Sequence, residues 1–474
     1  MEISVLILLL KLLMMHIFIF QCALSSSSSF YSSSKTNNNT DMFASLAIKS
    51  KIQLPSNSPI LSSWNPSNTS FCNWVGVSCS LLHQRVSALN MSYMNKYGTI
   101  SPHIGNLSFL RTLNLGSNNF RDPTPEMIGK LHRLRKLNLR DNQLEGSIPS
   151  TINGQSLSSL EKLILQYNNL VGTIPSFVFN ISTLKVIALS YNGISRGIPN
   201  DMCRMFPKLE TLYLLVNPLG GHIPTSLCLC RNLKELKLCE NGLTGSLPTN
   251  IGCFSEIEYL SIPINQLTST IPISLGNLSK LEFLDLSKNN LSGNISELPD
   301  SCFPKLSGIY FRSNQFSGRI PDFISNAAML TILELSNNSF SGPVPITLGN
   351  LRYLNILNIG INQLTNNPTQ REPHFLTSLT QCHQLRYLDI NNNPLNGSLP
   401  ESIGNLSNSL ENIDLRGTQL QGRLPYQIFN LSGLLKLRLE FNNLSGAIPS
   451  NIGNLRKLQQ LYLHDNKIKG NLPH

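Results

Sequence analysis

Charge is scarce in this 474-residue chain: Asp, Glu, Lys and Arg together make up 13% of it. Its 41% apolar content is enough for a large core, so disorder is excluded for most of its length. The net charge is +11, yet no run of five or six basic residues occurs. Nucleic-acid binders concentrate Lys and Arg on one face, so the pattern argues against that partner. Beyond the N-terminal segment, no stretch reaches the ~18 consecutive apolar residues of a membrane span. Catalytic signatures are missing too: there is no H-E-x-x-H, G-x-x-x-x-G-K-S/T, G-x-S-x-G or G-x-G-x-x-G. The kinase set of lysine strand, H-R-D and D-F-G is also lacking. The nine histidines are dispersed without metal-ligand spacing. With no set of nucleophile, base and pocket, the chain reads as a non-enzyme with no metal and no cofactor.

What is present begins with "MEISVLILLLKLLMMHIFIFQCALS", an apolar run followed by small residues. It reads as a secretory signal peptide over 1–25, cleaved near Ala23 to Ser25. The alternative is a retained signal anchor, because the run is long for a signal. A Ser- and Asn-rich stretch over 26–40 reads as a disordered leader. Sequons for N-glycosylation fall at Asn38, Asn68, Asn90, Asn106, Asn180, Asn277, Asn290, Asn294, Asn337, Asn396, Asn405, Asn430 and Asn443. Behind a signal peptide, this density points to a glycosylated extracellular surface.

The chain is also self-similar. "LEFLDLSKNNLSGNI" (Leu281 to Ile295) returns as "LTILELSNNSFSGPVP" (Leu330 to Pro345) and "LLKLRLEFNNLSGAIP" (Leu434 to Pro449). The pattern L-x-x-L-x-L-x-x-N-x-L-x-G-x-I-P places its Asn at 118, 142, 168, 192, 217, 241, 265, 289, 314, 338, 362, 393, 442 and 466. Met94 and Thr418 take that position in two further copies, giving sixteen repeats over 81–474. In L-x-L the leucines flank one outward residue, which is strand alternation. One coil cannot bury its leucines alone, so the coils must stack into a solenoid. The repeated Asn has an amide able to donate and accept where the chain leaves the strand. The coils of Met94 and Thr418 are therefore expected to be looser.

At this level "GAIPSNIGNLRKL" (Gly446 to Leu458) and "GPVPITLGNLRYL" (Gly342 to Leu354) resemble the plant-specific leucine-rich repeat. The resemblance implies an α/β repeat solenoid: a right-handed superhelix with short parallel strands on its concave face. Residues 41–80 read as its N-terminal cap, with apolar residues at helical spacing in "DMFASLAIKSKI". "SWNPSNTSFCNWVGVSC" follows, and in a secreted chain the close pair Cys72 and Cys79 favours a disulfide. This stretch resembles the cap of plant leucine-rich-repeat receptor kinases. The final copy stops just past its own proline. The expectation is that a C-terminal cap is absent, as in a truncated receptor or a frayed solenoid end.

Cys203 and Cys228 share one register in adjacent coils, which leaves two readings: a bridge between them, or two thiols. Cys230 and Cys382 fall at an inward register and read as core packing; Cys239 reads as a thiol on the strand face. Between Asn362 and Asn393 the period stretches from 24 to 31 residues, over "NNPTQREPHFLTSLTQCHQL". A tolerated bulge is favoured over a binding loop. "FLTSLTQC" resembles a segment of the plant receptor-kinase subfamily that includes sensors of bacterial flagellin and elongation-factor peptides.

Register also names candidate contact residues. Tyr167, Tyr191, Tyr213, Leu215, Tyr259 and Ile264, with Ile164 and Val216, form an outward apolar strip suited to an interface. Asp389, Asp414, Arg416, Arg438, Glu440, Tyr462, His464 and Asp465 form an outward mixed-charge surface, read as solvated or as a partner contact. The expectation is an extracellular or plasma-membrane receptor ectodomain binding a peptide or protein on the concave face. Family resemblance adds defence or developmental signalling and a co-receptor kinase near the C-terminal repeats. Membrane attachment would come only through a downstream segment. The alternatives are a secreted inhibitor of a cell-wall hydrolase and a soluble decoy receptor.

Overall fold

The computed structural model describes residues 39–53, 59–67, 70–203, 208–299 and 303–470. The signal-peptide reading, nearly all of the leader, Asn38, Asn68 and Cys302 lie outside the described residues. Coils are numbered 1 to 16 below by the ladder position each carries, from Met94 to Asn466. The chain divides into two compact units, Met1–Leu170 and Val171–His474.

The first unit opens with a helix over 39–49, inside which Ala44 and Ile48 are buried. Trp64 and Trp74 stack with ring centres 5.4 Å apart, and both are 1% exposed. Trp64 Nε1 donates to the Val75 carbonyl at 2.9 Å. The expected Cys72–Cys79 disulfide is present, with Cα atoms 5.4 Å apart. Strand Val77–Cys79 runs antiparallel to Val86–Asn90, which starts a parallel ladder through Thr112–Asn114, Lys136–Asn138 and Lys162–Ile164. The cap is fastened to this ladder by a buried pair. Arg85 donates to both Asp41 oxygens, from Nε at 2.8 Å and from a terminal nitrogen at 2.7 Å. Asp41 also accepts from the Val86 amide at 2.8 Å.

In the second unit, parallel strands follow one another in sequence order from Val186–Ala188 to Gln460–Tyr462. Each strand is three residues long, and all but the last, where Leu461 is half-buried, keep the central residue inside. Those central residues, among them Leu212, Leu284, Leu333, Leu388 and Leu437, are fully buried. The opposite side carries short 3-10 turns such as Ile273–Asn277 and Ile346–Asn350 rather than long helices. Proline precedes many of these turns, at Pro272, Pro345 and Pro425 for example, with φ between −61° and −69°.

The ladder asparagines bind coil to coil. Asn265 Nδ2 donates to Ile262 and Pro263 in its own coil and to Leu238 in the preceding one, at 2.9–3.2 Å. Its Oδ1 accepts from the Asn241 and Leu243 amides at 3.1 and 2.9 Å. Thr418 keeps only part of this. Its hydroxyl lies 2.6 Å from the Leu415 carbonyl and 3.1 Å from Asn442 Oδ1, and has no carboxamide to reach back to coil 13. At coil 1, Asn118 Oδ1 in the next coil accepts from the Met94 and Lys96 amides.

Two cysteine readings are corrected. Cys203 bonds to Cys230, and Cys228 bonds to Cys253. Cys203 and Cys228 are therefore not bridged to each other, and Cys230 is not a core thiol. Separation in sequence does not choose the partner: Cys203 and Cys228 are as far apart along the chain as the bonded Cys228 and Cys253, 25 residues. Together they tie coil 5 to coil 6 and coil 6 to coil 7. Peptide mapping of the non-reduced protein should recover Cys203–Cys230 and Cys228–Cys253 as separate linked pairs. A Cys203–Cys228 peptide would contradict this arrangement. Cys382 is unbridged and buried, and Cys239 is an unbridged, half-buried thiol, as read from sequence. Burial pushes the Cys382 thiol up to about 11.

The insertion in coil 13 contains the helix His374–Ser378 and the turn Leu379–Gln381. It is pinned: Asn366 Nδ2 donates to the Gln370 carbonyl, and the Ser398 amide donates to the Arg371 carbonyl. The secondary sheet of the second unit ends at Gln363–Thr365 and resumes at Gln421–Arg423. A polar cleft of about 610 Å³ fills the gap, lined by Asn366, Gln370, Arg371, Asn396, Ser398 and Gln421.

Candidate functional site

The outward residues of a three-residue strand are its first and third, and in coils 6 to 10 they form a continuous aromatic and charged strip. Tyr213 donates its hydroxyl to Glu235. Lys237 Nζ lies 4.6 Å from the Tyr213 ring centre and 4.4 Å from that of Tyr259. Tyr259 stacks on Phe283 at 4.1 Å, with the planes 4° apart. Phe283 meets Tyr310 at 5.0 Å. Glycine at 308 leaves room for this packing, since a Cβ there would lie 3.0 Å from Tyr310 Cε2 and 3.4 Å from Phe283 Cδ2. The strip offers flat apolar rings with a cation between two of them, a surface for side chains and peptide planes.

Electrostatics keep the phenols neutral. Burial, and then the hydrogen bond to Glu235, push the Tyr213 hydroxyl upward. Burial and the nearby Asp285 charge do the same for Tyr259 and Tyr310. Asp285 itself is pushed above the usual carboxylate range by burial, against hydrogen bonds from Ser287.

The residue before each ladder position has a left-handed backbone. Tyr191, Val216, Ile264, Ile361 and Phe441 have φ between 53° and 58° there. Such φ is costly for bulky or β-branched residues and mild for the Asn337, Asn392 and Gly417 that share the register. Tyr191 and Ile264 are each 41% exposed and Phe441 is 58% exposed. Large apolar side chains are thus held in water at strained positions, an arrangement that packing does not explain.

Of the residues singled out by register, Tyr213 and Tyr259 belong to the strip. Leu215 is half-buried beside it, and Tyr191 and Ile264 stand at the left-handed positions. Tyr167 lies in the first unit, with the Arg140 guanidinium 5.2 Å from its ring centre. Sequence reading missed Lys237, Phe283 and Tyr310, although the register that selected Tyr259 also reaches them.

The C-terminal mixed-charge set is corrected in part. Asp414 is 4% and Glu440 1% exposed, so neither presents an outward carboxylate. Arg438 covers them, with its guanidinium 2.6 Å from Glu440 and 3.4 Å from Asp414, and Arg416 lies 3.6 Å from Asp414. Arg438 also lies 5.2 Å from the Tyr462 ring centre. His464 and Asp465 are exposed, with Phe441 edge-on to His464 at 5.2 Å. The described sequon asparagines are all exposed, at Asn90, Asn106, Asn180, Asn277, Asn290, Asn294, Asn337, Asn396, Asn405, Asn430 and Asn443. Asn106, Asn180, Asn277, Asn405 and Asn430 end 3-10 turns, away from the strands. Asn337 is different, since it holds the left-handed position at the strand edge.

Stacked coils of this period, with a leucine core, an asparagine ladder and a disulfide cap, define a leucine-rich-repeat protein. The chain belongs to the leucine-rich repeat family: the model for the leucine-rich repeat region matches residues 75–336 and 346–471. The leucine-rich repeat N-terminal domain matches residues 38–80. It is 46% identical over 89 residues to the LRR receptor-like serine/threonine-protein kinase EFR of Arabidopsis thaliana, covering 19% of this chain and 8% of that protein. It is 36% identical over 172 residues to phytosulfokine receptor 1 of Arabidopsis thaliana, covering 36% of this chain and 17% of that protein. Among solved structures, the plant peptide hormone receptor RGFR1 in complex with RGF2 aligns with a TM-score of 0.73 at 34% identity, over 78% of this chain and 57% of that one. PEPR1 with AtPEP1 aligns at 0.74 and 29%, over 92% and 66%. The chain thus spans a small part of these receptor kinases and up to two thirds of these two receptor structures. The kinase relatives match in the repeat region. No helix among the described residues is long and apolar enough to cross a membrane.

Proposed function

We propose that this chain is the extracellular ligand-recognition region of a plant receptor, binding a peptide or protein on the strand face of coils 6 to 10. The observation that carries it is the strip Tyr213–Lys237–Tyr259–Phe283–Tyr310, whose rings are half-buried by one another and open on one side. Aromatic anchors of this kind dominate binding energy at interfaces. The similar structures RGFR1 with RGF2 and HAESA with an IDA peptide are complexes with peptide hormones, which supports a peptide ligand. HAESA with IDA and the co-receptor SERK1 supports a second, kinase-bearing partner. Its contact would use exposed Phe441, His464 and Asp465 and half-buried Tyr462 of coils 15 and 16. The sequons that end 3-10 turns would keep glycans clear of the strands.

The test is selection of peptides from a random display library on the secreted chain, followed by affinity measurement on variants. Phe283→Ala should weaken a selected peptide by about thirtyfold, ~2 kcal/mol, with little change in thermal midpoint. Tyr259→Ala should follow it. Peptides that bind both variants at wild-type strength would remove the strip from the site.

A further inference from the structure

Among the described residues, one ladder asparagine, Asn241, has a side-chain oxygen that no donor reaches, and it lies in the wall of a cleft. In most coils the amide two residues past the ladder Asn donates to Oδ1 of the next coil's Asn. Leu243 donates to Asn265, Leu267 to Asn289 and Phe340 to Asn362, at 2.9–3.1 Å. Coil 6 reads Asn217–Pro218–Leu219–Gly220, and its chain path differs. The Gly220 amide donates to the Asn241 backbone carbonyl at 2.9 Å. Asn241 Oδ1 is left without a hydrogen-bond partner in the protein, although the residue is 1% exposed. Coil 13 also places proline after its ladder Asn, and the Asn396 amide donates to the Thr418 carbonyl in the same way. There the next ladder residue is Thr418, which carries no amide oxygen to orphan. The unpaired acceptor is thus particular to the junction of coils 6 and 7.

A buried, unpaired amide oxygen is unfavourable unless a donor reaches it. Beside it is a cleft of about 510 Å³, lined by Val216, Pro218, Glu240, Asn241, Ile264 and Gln266 among others. Val216, Pro218 and Ile264 make apolar walls. Glu240 brings an exposed carboxylate. The amide nitrogens of Asn217 and Asn265 donate to backbone carbonyls. Apart from the exposed Gln266 carboxamide, which can donate as well as accept, the cleft presents acceptors and apolar carbon.

We infer that this cleft is a subsite for a basic side chain, lysine or arginine, of the peptide ligand. An apolar stem would lie between Val216, Pro218 and Ile264, while its cationic head donates to Asn241 Oδ1 and Glu240. This rests on the peptide-binding reading above and specifies one residue of the ligand. It also accounts for the strained backbone at half-buried Val216 and exposed Ile264, which become walls of a filled pocket.

The test uses n-butylguanidinium, an arginine side-chain analogue, and its neutral relative n-butylurea, with ligand-observed NMR on the intact secreted chain. The cation should bind, and the urea should bind about tenfold more weakly for want of the charge-assisted contact. Glu240→Gln should weaken the cation by a similar factor, and Ile264→Asn, which suits the left-handed backbone, should also weaken it. Glu401→Gln, at an exposed carboxylate outside both cleft and strip, should leave it unchanged, and failure here is separable from failure of the strand-face reading, which peptide binding to Phe283→Ala tests. Equal binding of cation and urea, or cation binding that survives both Glu240→Gln and Ile264→Asn, would overturn the assignment.

Discussion

Asp41→Ala should destabilise the N-terminal cap by about 3–5 kcal/mol, the cost of breaking a buried ion pair from one side. Asp41 is 0% exposed and accepts three hydrogen bonds, two from Arg85 and one from the Val86 amide. Without it, the Arg85 guanidinium keeps only Ser108 at 3.2 Å and the Phe109 ring, whose centre is 4.6 Å away. An uncompensated charge then remains in a site where Arg85 is 6% exposed. The loss should be local, because solenoid stability is a sum of neighbouring contacts. Hydrogen exchange should show early loss of protection over 39–53 and 77–90, with coils 10 to 15 unchanged. Asp41→Asn with Arg85→Met should cost less than Asp41→Ala alone, since no charge is stranded. Unchanged exchange over 39–53 in Asp41→Ala would show that the pair does not hold the cap.

That pair was not legible in the sequence, because its partners are 44 residues apart and neither is one of the repeat's patterned positions. What repeats was legible. The repeat recurs sixteen times, fourteen of them with Asn at the ladder position, and a period averages over local noise. The Cys72–Cys79 bridge was legible because it is short and local. The Cys203 and Cys228 pairings were not, since they depend on where each coil's turn projects its sulfur. Asp414 and Glu440 had outward register, but Arg438 folds over them, and register does not report a neighbour's side chain. Lys237, Phe283 and Tyr310 were missed for a related reason. Ranking outward apolar residues between Ile164 and Ile264 passed over the charge at Lys237 and stopped short of Phe283 and Tyr310, whereas the strip is a property of adjacent coils. The left-handed positions had a signal in Asn337, Asn392 and Gly417, which share the register of Tyr191 and Ile264.

Asn265→Ala should destabilise the second unit by on the order of 4 kcal/mol, as several buried polar groups lose partners together. Its amide group serves three carbonyls and two backbone amides, linking coil 8 to coil 7. Alanine would leave the Asn241 and Leu243 amides without this acceptor in a region where Leu238, Leu243 and Ile262 are fully buried. Gln266→Ala, at the exposed neighbour, should be close to neutral and serves as the control. Urea unfolding read by limited proteolysis should place the first cut of Asn265→Ala within 238–267. The reverse change at the ladder's weak coil, Thr418→Asn, should stabilise by about 1 kcal/mol if the added carboxamide bonds back to coil 13. The cleft supplies a second readout of the same bond. Asn265 holds the Asn241 amide, so loosening it should abolish binding of the basic analogue beside Asn241 while leaving coils 12 to 16 folded. A loss of less than about 1 kcal/mol in Asn265→Ala would mean that water replaces the ladder, and that the asparagines do not join coil to coil.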